Sequence, residues 1–148
     1  MVQSRVLNAA KKDRYMNSII FATRTVLSKY STFSGRATRS ELWWWMLSAF
    51  IILTITWLID GALILPLLGF DRFQPEGGQP LSVIVSLAFI LPNIAVGVRR
   101  LHDIGRTWRL LLIGLIPVLG ILVLLYFYVQ PSEETKNKYG PFSPFAPT

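Results

Sequence analysis

The chain contains no cysteine and one histidine, His102. The missing cysteines exclude disulfides, thiol redox chemistry and cysteine-ligated zinc, and a lone histidine makes a poor metal site. Charge is scarce too. Only 16% of the residues are charged, and 8 acidic against 15 basic residues give a formal net charge of +7. Glycine loops of the Walker or dinucleotide type are absent, so no nucleotide cofactor is expected. No serine or cysteine nucleophile lies near His102 and Asp103, and adjacent side chains rarely face one another. The pair reads as structural or interfacial, with no catalytic residue, metal or cofactor expected.

What the chain has in abundance is apolar sequence. It is 52% hydrophobic over 148 residues, the length of one domain, with a mean hydropathy of +0.46. Long uncharged stretches alternate with compact basic ones, a pattern suited to a bilayer rather than to water. A nucleic-acid module would spread its basic residues over a soluble surface. Here they flank apolar runs, so the anions nearest to them are lipid phosphates, and nucleic acid is not an expected partner.

Three stretches have the length of a membrane span: 42–59, 81–98 and 110–129. A hydrocarbon core of about 30 Å takes about 20 helical residues, and backbone in lipid must satisfy its own hydrogen bonds. The sequence therefore predicts an all-α integral membrane protein with three transmembrane helices. Asp60 follows the first span and is expected at its watered boundary rather than as a buried functional acid. Residues 61–70 could extend that helix, lie along the interface or dip and return, with Pro66 and Gly69 ending any helix there. In the second span Pro92 frees a carbonyl one turn back, and Asn93 could satisfy a neighbour. The third contains Gly114, Pro117 and Gly120. Its length favours one crossing, with a hairpin at those residues as the alternative, returning the tail to the side it left.

Three crossings put the basic residues before the first span and those at 99–109 on one side, with the tail opposite. The positive-inside rule then places the N-terminus and the 99–109 loop in the cytoplasm. Trp43, Trp44 and Trp45 are the expected headgroup-level anchors. Residues 16–30 show a helical pattern, with Met16, Ile19, Ile20, Val26, Leu27 and Tyr30 along a broad apolar face. This suggests an interfacial amphipathic helix ahead of the spans. Residues 1–15 read as a basic, mobile lead with no cleavable signal peptide, and 16–148 as the membrane domain.

Three short motifs complete the pattern: "FSGRATRSELWWW" (33–45), "RRLHDIGRTW" (99–108) and "NKYGP" (137–141). In this order and placement, from about residue 16 onward, the chain resembles the DUF805 family of small bacterial inner-membrane proteins. The resemblance implies a bacterial inner-membrane location and a multi-pass topology, and no particular reaction. It covers Phe33, Gly35, Arg36, Arg39, Glu41 and Trp44, then Arg99 to Asp103, Gly105 and Arg106, then Asn137, Tyr139 and Gly140. The chain departs from the common family pattern at Thr107-Trp108-Arg109, at Leu42 and at Phe142-Ser143-Pro144.

The charged residues suggest a function. Glu41 and Asp103 can accept charge-assisted hydrogen bonds from arginines of the other motif, with Gly35 and His102 helping to orient the network. Arg36, Arg39, Arg99, Arg100 and Arg106 outnumber those two acids, and guanidinium forks suit phosphate. The expectation is a binding or scaffolding protein with a cytoplasmic site for an anionic lipid headgroup. Membrane lipids, further copies of the chain or a membrane-protein partner are the expected company. The alternatives are an oligomeric channel or transporter, assembled through Ser82/Ser86 or span three, and, more distantly, a lipid-modifying enzyme.

Overall fold

The computed structural model describes residues 17–142, so the basic lead at 1–15 lies outside the described residues. It is helical, with no strand beyond an isolated bridge between Asn137 and Gly140 among the described residues. Helix α1 covers residues 17–28 and α2 runs Arg39–Ile59. Thr38 caps α2 by accepting from the Glu41 backbone N–H at 3.3 Å, which satisfies one of the free donors of the first turn. A π-turn, Asp60–Ile64, and the short α3, Leu65–Leu67, continue the same rod. Residues 61–67 thus extend the first span, and the chain turns beyond Pro66 at Gly69 (φ 86°).

Helix α4 runs Pro80–Asp103, through Pro92. The rods Arg39–Leu67, of 29 residues, and Pro80–Asp103, of 24, are each long and apolar enough to cross a membrane. They run antiparallel, and polar pairs fix their register. Glu41 meets Arg99, the Trp45 indole donates to Asn93 Oδ1 at 2.7 Å, and Ser82 meets Thr56 and Asp60. Asn93 satisfies a neighbour as its place beside Pro92 suggested.

The third apolar stretch is not one helix, so the expected third span is corrected. Trp108–Leu115 forms a 3-10 helix, the chain turns through Ile116, Pro117 and Val118, and α5 occupies Leu119–Val129. The two arms pack so closely that a Cβ on Gly120 would lie 1.9 Å from the Ile113 carbonyl oxygen. Val118 holds φ 64° at the turn, left-handed backbone that is costly for a β-branched residue. Helix α5, at 11 residues, is about 16 Å long, half of a 30 Å core. The hairpin arises because Gly114 and Gly120 permit close approach and Pro117 interrupts the ladder. The tail consequently returns to the end of the molecule where the 99–109 loop lies, not to the opposite end.

Two further expectations change. Helix α1 buries the small stripe Ser18, Ala22 and Val26, leaving Ile20 and Leu27 exposed. The stripe brings it close to α2, where Thr23 donates to Ser48 at 2.8 Å. Among the tryptophans, Trp43 is exposed and Trp44 half-buried, but Trp45 is fully buried against Phe89. Trp45 is therefore a packing residue and not a headgroup anchor. The exterior is apolar, from Phe50 and Ile84 to Leu115, which is 80% exposed, while Glu41, Asp60, Arg99, Arg100 and Asp103 are buried. Such a surface suits acyl chains as solvent.

Candidate functional site

The start of α2, the end of α4 and the tail converge, so residues from all three sequence motifs meet. Asp103, at the C-terminus of α4, stands between two arginines. Its Oδ1 accepts from Arg36 Nε at 2.9 Å and its Oδ2 from Arg100 Nη1 at 2.5 Å. All three side chains are at least 96% buried. Arg36 spends its remaining donors on backbone carbonyls: Thr135 (2.8 Å), Gly140 (3.4 Å), Asp103 (3.2 Å) and Glu133. Arg100 donates to the carbonyls of Tyr128 (3.2 Å) and Gln130, and to Ser132 Oγ at 3.3 Å. The two guanidinium forks thus tie the tail to the helix ends, through charge-assisted bonds that are stronger than neutral ones.

Arg99 is also buried and donates through Nη1 to Glu41 Oε1 at 2.7 Å, while its carbonyl accepts from the Ala37 N–H at 3.0 Å. Its Nε and Nη2 are buried with no protein partner. His102 is 6% exposed. Its Nδ1 lies 3.2 Å from the Gly35 carbonyl, which can only accept, so Nδ1 carries the proton. Gly35 reaches this place at φ 84°, a left-handed conformation suited to glycine. Tyr139 stacks on the imidazole with centroids 3.7 Å apart, and Asn137 donates to the His102 carbonyl at 3.0 Å.

Gly35, Arg36, Glu41, Arg99, Arg100, His102 and Asp103 are therefore brought together, as a packed polar core. Arg39 and Arg106 stand outside it. Both are exposed, and neither makes an ion pair among the described residues. They meet the last turn of α5: Arg39 donates to the Val129 carbonyl at 3.4 Å, and the Arg106 guanidinium lies 5.9 Å from the Phe127 ring centroid.

Asp60 is fully buried, which corrects its placement at a watered boundary. It accepts from the backbone N–H of Leu81 (3.0 Å) and Ser82 (2.7 Å) and from Ser82 Oγ (2.6 Å). It caps α4 from another element. The N-cap residue, Gln79, offers no side-chain bond and Pro80 has no N–H to give. Sequence reading placed Tyr30 on an apolar face and missed its bond, in which the hydroxyl donates to the Ala88 carbonyl. It also missed the carbonyls of Tyr128, Gln130, Glu133, Thr135 and Gly140 that receive the arginines. Pro92 was the available signal for the first; carbonyl acceptors carry no side-chain signal.

An apolar cavity of about 580 Å³ opens between α4 and the 3-10 arm, lined by Phe33, Ile94, Val98, Leu111, Leu112 and Leu115 with His102 and Trp108. No group of three or more His, Asp or Glu residues that could hold a metal occurs among the described residues.

Residues 30–141, which include the whole of this polar core, match the family described as "Protein of unknown function (DUF805)". The chain belongs to the DUF805 family. It is 36% identical over 116 residues to the inner membrane protein YhaH of Escherichia coli (strain K12), covering 78% of this chain and 90% of YhaH. The inner membrane protein YhaI of the same strain is equally similar, 36% over 116 residues, with 78% and 89% covered. No solved structure matches the chain. With two helices of crossing length, an apolar exterior and these relatives, this DUF805 chain is an integral membrane protein.

Proposed function

We propose that this protein is a lipid-binding scaffold of the bacterial inner membrane, with an anionic-headgroup site on its cytoplasmic face. Arg36 and Arg100, expected to hold the headgroup, serve instead to build the site. Their donors are spent on Asp103 and the tail, and they hold α5 and its exit in place. The headgroup falls to Arg39 and Arg106, while Arg99 is paired with Glu41 inside the core. The observation that carries this reading is that the two exposed arginines of the five flank one feature, the last turn of α5, without acidic partners. Their guanidinium planes suit phosphate oxygens.

The orientation follows the same charges. Arg36, Arg39, Arg99, Arg100, Arg106, Arg109, Lys136 and Lys138 gather at one end of the α2–α4 pair, and Arg72 lies in the connection at the other. Returning the tail to the basic end sharpens the asymmetry that the positive-inside rule reads. The transporter reading needs an acid free to bind an ion. Asp60 has its oxygens engaged by α4, which favours binding over transport.

Native mass spectrometry of the gently solubilised protein tests the proposal. Wild type is expected to retain phosphatidylglycerol or cardiolipin, and Arg39→Ala/Arg106→Ala to retain at least tenfold less with unchanged thermal stability. Equal retention by the two proteins overturns it.

A further inference from the structure

The cavity beside His102 is distinct from the arginine surface, and its lining specifies a different ligand. Six of its eight lining residues are aliphatic or phenyl, and Trp108 and Leu112 are more than half exposed, so it opens onto the apolar exterior. Its volume of about 580 Å³ is in the ordinary range for small-molecule sites. His102 contributes the other polar character. With Nδ1 donating to Gly35 and one ring face covered by Tyr139, the imidazole keeps Nε2 as a lone-pair acceptor. That nitrogen is buried and has no partner, the only such side-chain acceptor among the described residues. A buried acceptor left without a donor is unfavourable, so a ligand that supplies one gains on both counts.

We propose that this groove binds a single-chain membrane amphiphile whose head is a hydroxyl. The chain lies along Ile94, Val98, Leu111 and Leu115, and the hydroxyl donates to His102 Nε2. The surroundings select among heads. An ammonium would enter beside Lys138, which lies 4.9 Å from the centroid of the Tyr139 ring that stacks on His102. It would also lie near a cluster in which Asp103 and Glu41 offset only two of the charges of Arg36, Arg99 and Arg100. A carboxylate or phosphate would set its oxygens against a lone pair, unless the ring took a proton and placed one more cation in the same cluster. A neutral donor meets neither obstacle.

The inference rests on the membrane placement of the chain and not on the Arg39–Arg106 headgroup site. The test is photocrosslinking in phosphatidylcholine nanodiscs, with a hexadecanol analogue carrying a mid-chain diazirine. Unlabelled hexadecanol is expected to protect residues 94–115 from labelling at least tenfold more effectively than hexadecyl methyl ether or hexadecanoate. His102→Phe, which keeps a ring against Tyr139, and Leu112→Trp, which fills the groove from an exposed position, are each expected to lower labelling tenfold. Arg39→Ala/Arg106→Ala should label like wild type whether or not it has lost anionic lipid. Equal protection by alcohol and ether would make the groove a non-selective contact for acyl chains and overturn the proposal. Stronger protection by the acid, or undiminished labelling of Leu112→Trp, would overturn it equally.

Discussion

The Tyr30 hydroxyl donates to the Ala88 carbonyl, the acceptor that Pro92, four residues on, cannot serve. A proline inside a helix removes one rung of the ladder, and in lipid no water stands ready to replace it. The chain just beyond α1 supplies the missing donor and is thereby pinned to α4. Tyr30→Phe should destabilise the protein by about 1 kcal/mol. In a Pro92→Ala background residue 92 regains its N–H and the same change should cost less. A double-mutant cycle in detergent measures this coupling; additive costs would show that the carbonyl and the hydroxyl act independently.

Asp103 is shared by Arg36 and Arg100, so its loss strands two buried cations. Breaking a buried ion pair from one side costs about 3–5 kcal/mol. Asp103→Asn keeps the shape and one acceptor oxygen but removes the charge, and is expected to fall near the lower end. The loosening should concentrate in the tail, because Glu133, Thr135 and Gly140 are held through Arg36. Limited proteolysis checks this: Asp103→Asn should be cut within 131–140 much faster than wild type, and Arg106→Ala at the wild-type rate.

The absence of cysteine makes the topology directly measurable. Glu134→Cys and Arg109→Cys, both at exposed positions, should react with an impermeant maleimide from one side of oriented vesicles, and Glu76→Cys from the other. A single crossing through 110–129 would group position 134 with 76. The hairpin groups it with 109.

Much of the membrane architecture could be read from residue type alone, because lipid imposes rules that sequence displays openly. Uncharged runs gave both long helices, and the proline-asparagine pair gave an orphaned carbonyl and a ready acceptor. The charged motifs gave the salt-bridge partners, since Glu41 and Asp103 were the acids available to the arginines. The hairpin was harder to see. Residues 110–129 have the length of a crossing, and only the spacing of Gly114, Pro117 and Gly120 argues otherwise, through an approach of Gly120 to the Ile113 carbonyl that leaves no room for a Cβ and that no composition reveals. The roles of Arg36 and Arg100 were hidden for the same reason. Whether an arginine faces lipid or a carbonyl depends on where the tail returns, and that depends on the hairpin.

The hairpin carries its own strain, which can be tested. Val118 at φ 64° occupies backbone that glycine adopts freely, at a cost of about 1–3 kcal/mol for other residues. Val118→Gly should therefore raise the unfolding midpoint, although it removes a side chain that is 68% exposed. Gly120→Ala should lower it, since its new methyl meets main chain and not a movable side chain. A gain from glycine at 118 together with a loss from alanine at 120 is what a tight reversal requires and a continuous helix forbids. In a straight span, Val118→Gly would cost about 1 kcal/mol and Gly120→Ala would gain a similar amount.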